Sequence, residues 1–167
     1  MDCKEIQKIF CNACRDGDLN SVKELTRRHN LTIVAKSFGY EALIRACEKG
    51  HIKIAEWLTN EFQLTINDVR SNNNYILTLT CWWGRFETAQ WLVKKFCFTV
   101  DDIRISNDIV LLWVCIGNHK KIAEWLLNDY YEVETALQLS KNSTFSSNMR
   151  KWLKTLFESD VRFFDIR

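Results

Sequence analysis

The side chains of this chain that could do chemistry are few, and their spacing keeps them apart. There are three histidines, His29, His51 and His119. A catalytic base must lie within hydrogen-bond reach of its partner. His51 and His119 hold the same place in a repeated pattern, two copies apart, so they cannot share a site. Cys11 and Cys14 form a lone C-x-x-C. A zinc site needs a second pair of ligands, and none stands at a suitable spacing. Asn67-Asp68 and Asp101-Asp102 look like carboxylate sites, but both sit in a recurring polar segment where Asp caps a turn. The five glycines, Gly17, Gly39, Gly50, Gly84 and Gly117, make neither G-x-G nor G-x-x-x-x-G-K, which excludes both glycine-rich phosphate loops. The expectation is a protein without catalytic residues, metal ligands or cofactor.

The elements that must carry these residues are helical. The chain has 167 residues, 47% of them hydrophobic, with no proline and 5 glycines. That composition suits a buried core and long helical content, not a turn-rich β-sandwich. Lys plus Arg number 23 against 21 Asp plus Glu, a net charge of +2, which argues against nucleic acid as a partner. The start, Met1-Asp2-Cys3-Lys4-Glu5, is charged and precedes no apolar stretch. The longest apolar run, Ile109 to Ile116, falls far short of the ~20 residues that span a bilayer. A cytoplasmic protein without membrane contact is expected, with its seven cysteines as free thiols.

An internal repeat organises the chain. Leu43, Leu77 and Leu111 are 34 residues apart, and so are Cys47, Cys81 and Cys115. Ala55, Ala89 and Ala123 keep that step, as do Trp57, Trp91, Trp125 and Leu58, Leu92, Leu126. Phe62, Phe96 and Tyr130 add an aromatic column, and a weaker copy begins 33 residues earlier with Cys14, Gly17 and Leu19. Within one copy, Ala42, Leu43, Ala46 and Cys47 mark one face of a short helix. Gly50 stops it in a left-handed conformation; that column reads Gly17, Gly50, Gly84, Asn118. Ile54, Ala55, Leu58 and Phe62 mark a second helix. The segment Asn67 to Asn74 is polar and disfavours both helix and strand, predicting an extended, turn-bearing connector. Each unit is too thin to bury its own apolar face, so the units must stack. Inner helices are predicted near 5–15, 41–49, 75–83 and 109–117. Outer helices are predicted near 19–29, 52–62, 86–96 and 120–130, with two cap helices near 135–141 and 147–158. Trp91 is expected to be buried between its neighbours.

The stretch from Glu41 to Leu58 resembles the ankyrin core T-P-L-H-x-A-A-x-x-G-H-x-x-V-V-x-x-L, most closely from Leu43 onward. It departs in lacking proline at position 42 and in replacing the usual G-A-D-V-N tail with segments such as Leu64 to Arg70 and Phe98 to Arg104. That variant resembles ankyrin repeats of protists and of giant DNA viruses of amoebae. The resemblance implies an all-α, ankyrin-type helix-turn-helix solenoid in a single domain, 1–167, with His51 and His119 at a helix start where histidine hydrogen-bonds locally. Its repeats fall near 3–36, 37–70, 71–104 and 105–138, followed by a degenerate C-terminal cap at 139–167.

The resemblance also implies a protein–protein interaction module, monomeric, binding its partner on the concave face and on the connectors. Columns that hold Leu, Ala, Cys or Trp in every unit are dictated by stacking. Columns that vary are free for a partner to choose. Position 45 recurs as Leu79 and Trp113, and Glu48-Lys49 recurs as Trp82-Trp83. The expected contact surface is therefore Arg45, Leu79, Trp82, Trp83 and Trp113 from the inner helices. Arg70, Asn72, Asn73, Arg104, Asn107 and Asp108 from the connectors form its polar rim. The competing reading is a viral or cellular adaptor or inhibitor that recruits a host target, for example to a ubiquitin ligase.

Overall fold

A computed structural model of the chain describes residues 3–31 and 36–164. It is a stack of helix pairs, with no strand among the described residues. The first pair is α1 (Cys3–Asp16) and α2 (Leu19–His29); the second is α3 (Lys36–Lys49) and α4 (Ile52–Glu61). A short helix α5 (Ile66–Val69) leads to α6 (Ser71–Trp82) and α7 (Phe86–Lys95). Another, α8 (Val100–Ile103), leads to α9 (Ile105–Ile116) and α10 (Lys120–Tyr130). The chain closes with α11 (Val133–Ser140) and α12 (Ser147–Phe164). The inner helices α1, α3, α6 and α9 pack in chain order, and α2, α4, α7 and α10 each lie against their own inner helix. The paired helices of every unit, and α11 and α12, lie close to their predicted places.

The repeated columns form the core. Leu43, Leu77, Leu111, Ala55, Ala89, Ala123 and the thiols of Cys14, Cys47, Cys81 and Cys115 are all 0% exposed. Small side chains at the Ala and Cys columns let neighbouring helices approach. Burial pushes the Cys81 and Cys115 thiols up to about 12, so these sulfurs are packing groups and not nucleophiles. The tryptophan column differs from expectation. Trp57, Trp91 and Trp125 are half-buried against the core edge, because the outer helices leave that flank open to solvent. Trp91 instead packs edge-on to Phe96, with ring centroids 6.2 Å apart.

Turn chemistry explains each inner-to-outer corner. Gly17, Gly50, Gly84 and Asn118 have φ of 87°, 84°, 70° and 60°, the left-handed region where Gly and Asn are tolerated. The residue that follows one place later in each turn, where local hydrogen bonding was expected for histidine, bonds across units instead. His51 Nε2 meets the Arg15 carbonyl at 3.0 Å, and His119 Nε2 meets the Trp82 carbonyl at 2.7 Å. Arg85 Nε donates to the Glu48 carbonyl at 2.9 Å in the unit between. Each such side chain satisfies a helix-end carbonyl of the preceding unit. In the first pair the equivalent residue, Asp18, caps its own helix by accepting from the Ser21 amide at 3.0 Å.

The connectors are more compact than the extended segments predicted. The two that follow α4 and α7 start with a short helix opened by a Thr-x-x-Asp cap. Asp68 Oδ2 accepts from the Thr65 amide and hydroxyl, both at 2.7 Å. Asp102 Oδ2 does the same for Thr99, at 2.8 and 2.9 Å. A left-handed turn follows: Asn72, Asn73 and Asn74 have φ of 53°, 56° and 55°, and Ser106, Asn107 and Asp108 have 52°, 57° and 60°. Polar side chains that tolerate this region make both turns possible.

Candidate functional site

The left-handed turn that starts α6 sets the position of the principal surface feature. Asn74 is 1% exposed, and its Nδ2 donates to the Asp102 carbonyl at 2.7 Å. Arg70 reaches the same residue, with its guanidinium 2.7 Å from Asp102 Oδ2. Burial works against ionisation of Asp102, but Arg70 and the Thr99 hydrogen bonds outweigh it and hold the carboxyl below its ordinary value. This clamp ties the turn to the next connector. Asn72 and Asn73, between the clamp points, are left exposed.

They overhang a groove of about 540 Å³ between α6 and α9. Its walls are Tyr75, Leu79 and Trp82 from α6 and Ile109 and Trp113 from α9, with Thr78 beside them. Trp82 and Trp113 meet edge to face, ring centroids 5.0 Å apart at 83°, a favoured aromatic geometry. Tyr75 remains 46% exposed and Trp113 38%. Among the described residues, no charged side chain lines the groove.

Five of the residues singled out from sequence therefore come together here: Asn72, Asn73, Leu79, Trp82 and Trp113. The others lie outside the lining. Trp83 is 43% exposed and packs under Lys49, whose Nζ sits 5.1 Å from the ring centroid. Arg45 pairs with Glu48 at 3.4 Å and Glu41 at 3.9 Å. Arg70 is held by Asp102, as above. Arg104 pairs with Asp108 at 3.3 Å and stacks over Tyr131 at 5.0 Å. Asn107 is exposed on the second left-handed turn.

Tyr75, Thr78 and Ile109 were missed, and the sequence held a signal for them. Tyr75 and Ile109 share a column with Glu41, and Thr78 shares one with Ile44 and Leu112. Those columns vary as freely as the one holding Arg45, Leu79 and Trp113.

Reactive constellations are a different matter. Among the described residues, no three His, Cys, Asp or Glu side chains gather to hold a metal ion. No described helix is long and apolar enough to cross a membrane. The seven cysteines are unpaired.

No curated protein and no solved structure matches the chain. A family model described as ankyrin repeats (3 copies) matches residues 10–107. That span takes in the first inner helix from Phe10, the two repeat units that follow, and the turn that opens α9, so the chain belongs to the ankyrin repeat family.

Proposed function

We propose that the chain binds another protein through the exposed, concave row of its inner helices, from α3 to α9. Ankyrin repeats are in general protein–protein interaction modules, and stacked repeats offer an extended surface of the right kind. The observation that carries the reading is the contrast between columns. The buried columns of Leu43, Cys47, Ala55 and Leu58 repeat their residue in all three units, whereas the inner-helix surface columns turn from Glu41, Arg45 and Glu48 on α3 to Tyr75, Leu79 and Trp82 on α6. Stacking does not require that change. Aromatic side chains at the centre of a surface with polar neighbours are the usual anatomy of an interface. The connector residues Arg70, Asn72, Asn73, Arg104, Asn107 and Asp108 form its polar edge. A cytoplasmic setting and a monomeric state fit this reading.

The test is to capture partners from lysate on the folded chain, then repeat with Trp82→Glu and Trp83→Lys together. These are the residues that α3 already carries in those columns. Partner affinity should fall at least ~30-fold, the loss expected for an interface hot spot of ~2 kcal/mol. A double variant that keeps its helicity and binds its partner unchanged would move the interface elsewhere.

A further inference from the structure

We infer that the groove between α6 and α9 takes an uncharged stretch of a partner protein, seated by one bulky apolar side chain against Trp82 and Trp113. The inference rests on the concave-face reading above and adds to it the chemistry of what binds.

The first argument is charge. The groove is lined by Asn, Tyr, Thr, Leu, Trp and Ile alone. The charges that flank it in sequence and along the helix row are already engaged with one another. Arg70 is 2.7 Å from Asp102, Arg104 is 3.3 Å from Asp108, and Arg45 is 3.4 Å from Glu48. A carboxylate entering the groove would give up part of its hydration and find no counter-charge, and an ammonium or guanidinium would find no carboxylate, only ring faces. A neutral segment meets no such barrier.

The second argument is hydrogen bonding at the lip. Asn72 and Asn73 line the groove, and neither side-chain amide has a hydrogen-bond partner among the described residues. Each offers both a donor and an acceptor, the complement of a peptide backbone. A wholly apolar ligand would leave both groups idle.

The third argument is that the lining is specific to this place: the groove recurs between α1 and α3, with about 420 Å³, but there its walls carry Lys4, Lys8, Arg15, Glu41 and Arg45. In the unit before, the positions of Asn72 and Asn73 are held by Phe38 and Gly39. There the helix runs on from Lys36 without a left-handed turn. Phe38 is buried, and Gly39 lies so close to Phe62 that an added Cβ would collide with the ring. The start of α3 thus closes on its own unit. At α6 the chain turns left-handed instead and carries its amides outward. The space of about 540 Å³ lies in the range of pockets that hold a compact ligand group.

The experiment is selection of a random twelve-residue peptide display library on the folded chain, followed by affinity measurement of the best sequence as a blocked synthetic peptide. Enriched peptides should carry Trp, Phe or Leu flanked by uncharged residues. Trp113→Ala, with helicity checked by circular dichroism, should weaken the synthetic peptide at least tenfold. Asn73→Asp places a carboxylate at the lip in a conformation Asp tolerates, and should redirect the selection toward peptides bearing Lys or Arg. Enriched peptides with Asp, Glu, Lys or Arg beside the anchor on the unsubstituted chain would overturn the inference. So would no enrichment, a Trp113→Ala chain that binds unchanged, or a groove occupied by a second copy of the chain in sedimentation. In the first of these cases the concave-face reading survives if binding is lost on substituting Arg45 or Trp83. In the second it survives if captured partners are still lost with Trp82→Glu and Trp83→Lys.

Discussion

Along the seam between α3 and α6, helix α3 presents Arg45, Glu48 and Lys49; along the next seam, between α6 and α9, the same columns carry Leu79, Trp82 and Trp83, and then Trp113 and Ile116. Beneath both seams lies one core, with Leu43, Leu77 and Leu111 at identical burial and Cys47, Cys81 and Cys115 behind them. Stacking therefore determines only the buried columns. On the surface, the first seam neutralises itself through ion pairs and a Lys49–Trp83 contact, while the second leaves aromatic rings open to solvent. Two neighbouring interfaces built on the same repeat thus differ in what they can offer a partner and not in what holds them together.

If the cores are equivalent, deleting the same group from each should cost the same. Leu43→Ala and Leu77→Ala should each destabilise the chain by about 3 kcal/mol, within the range for fully buried leucines. Chemical denaturation of both variants measures this. A difference above ~2.5 kcal/mol between them, beyond the ordinary scatter of such sites, would break the claim of a shared core.

The next effect in size separates the two seams. Gly39 is a helical glycine that owes its identity to close approach and not to a positive φ. An alanine there would bring its Cβ within 2.6 Å of Phe62 Cβ, an atom tied to the backbone that cannot swing away. Gly39→Ala should therefore cost about 1–2 kcal/mol, with overpacking outweighing alanine's better helix propensity. A stabilised variant would show that the contact of α3 with Phe62 has room to spare.

Much of this could be read in the sequence, for a physical reason. Leu, Ala and Cys at a fixed step report burial, because burial leaves few alternatives, and every helix pair followed from those columns. The capping role of Asp68 and Asp102 was equally legible, since Thr three residues before Asp is a local signal. The hand of the connector was not. Asn72-Asn73-Asn74 announces a break, but the clamp that holds the turn, from Asn74 to the Asp102 carbonyl, spans 28 residues and leaves no local signal. His51 and His119 misled for the same reason, as their partners lie 36 and 37 residues back in the preceding unit. Trp91 was placed too deep because a strict repeat marks packing against the core without saying how much of a large ring it covers.

The connector clamp gives a pH-dependent test of the second seam. Asp102 has its carboxyl held below the ordinary value in the fold. Its contribution is present above the unfolded value of roughly 4 and is lost as pH falls through the folded one. Asp102→Asn keeps an acceptor but removes the charge that Arg70 meets. It should cost about 1 kcal/mol at pH 7, the difference between a charge-assisted and a neutral hydrogen bond. It should also flatten the fall in Tm that the unsubstituted chain shows between pH 5 and pH 3. Parallel Tm curves for the two chains would mean that the clamp carries no ionised pair.

The smallest effect belongs to the lip of the groove, and there the sign is informative. Asn73 has φ of 56°, no side-chain partner among the described residues and an exposed side chain. Glycine accepts that φ without strain, which favours Asn73→Gly, but it also frees the unfolded chain, which opposes it. The two terms nearly cancel, so the melting temperature should move by no more than the equivalent of ~0.5 kcal/mol, as at an ordinary surface site. Asn73→Ala retains the Cβ and loses asparagine's tolerance of the left-handed region, and should cost about 1 kcal/mol. The pair isolates backbone from side chain: stability follows whether the residue accepts a left-handed φ and ignores the amide. If Asn73→Gly were as costly as Asn73→Ala, the amide would be holding the turn together. It would then be part of the scaffold and not free to meet a peptide across the groove.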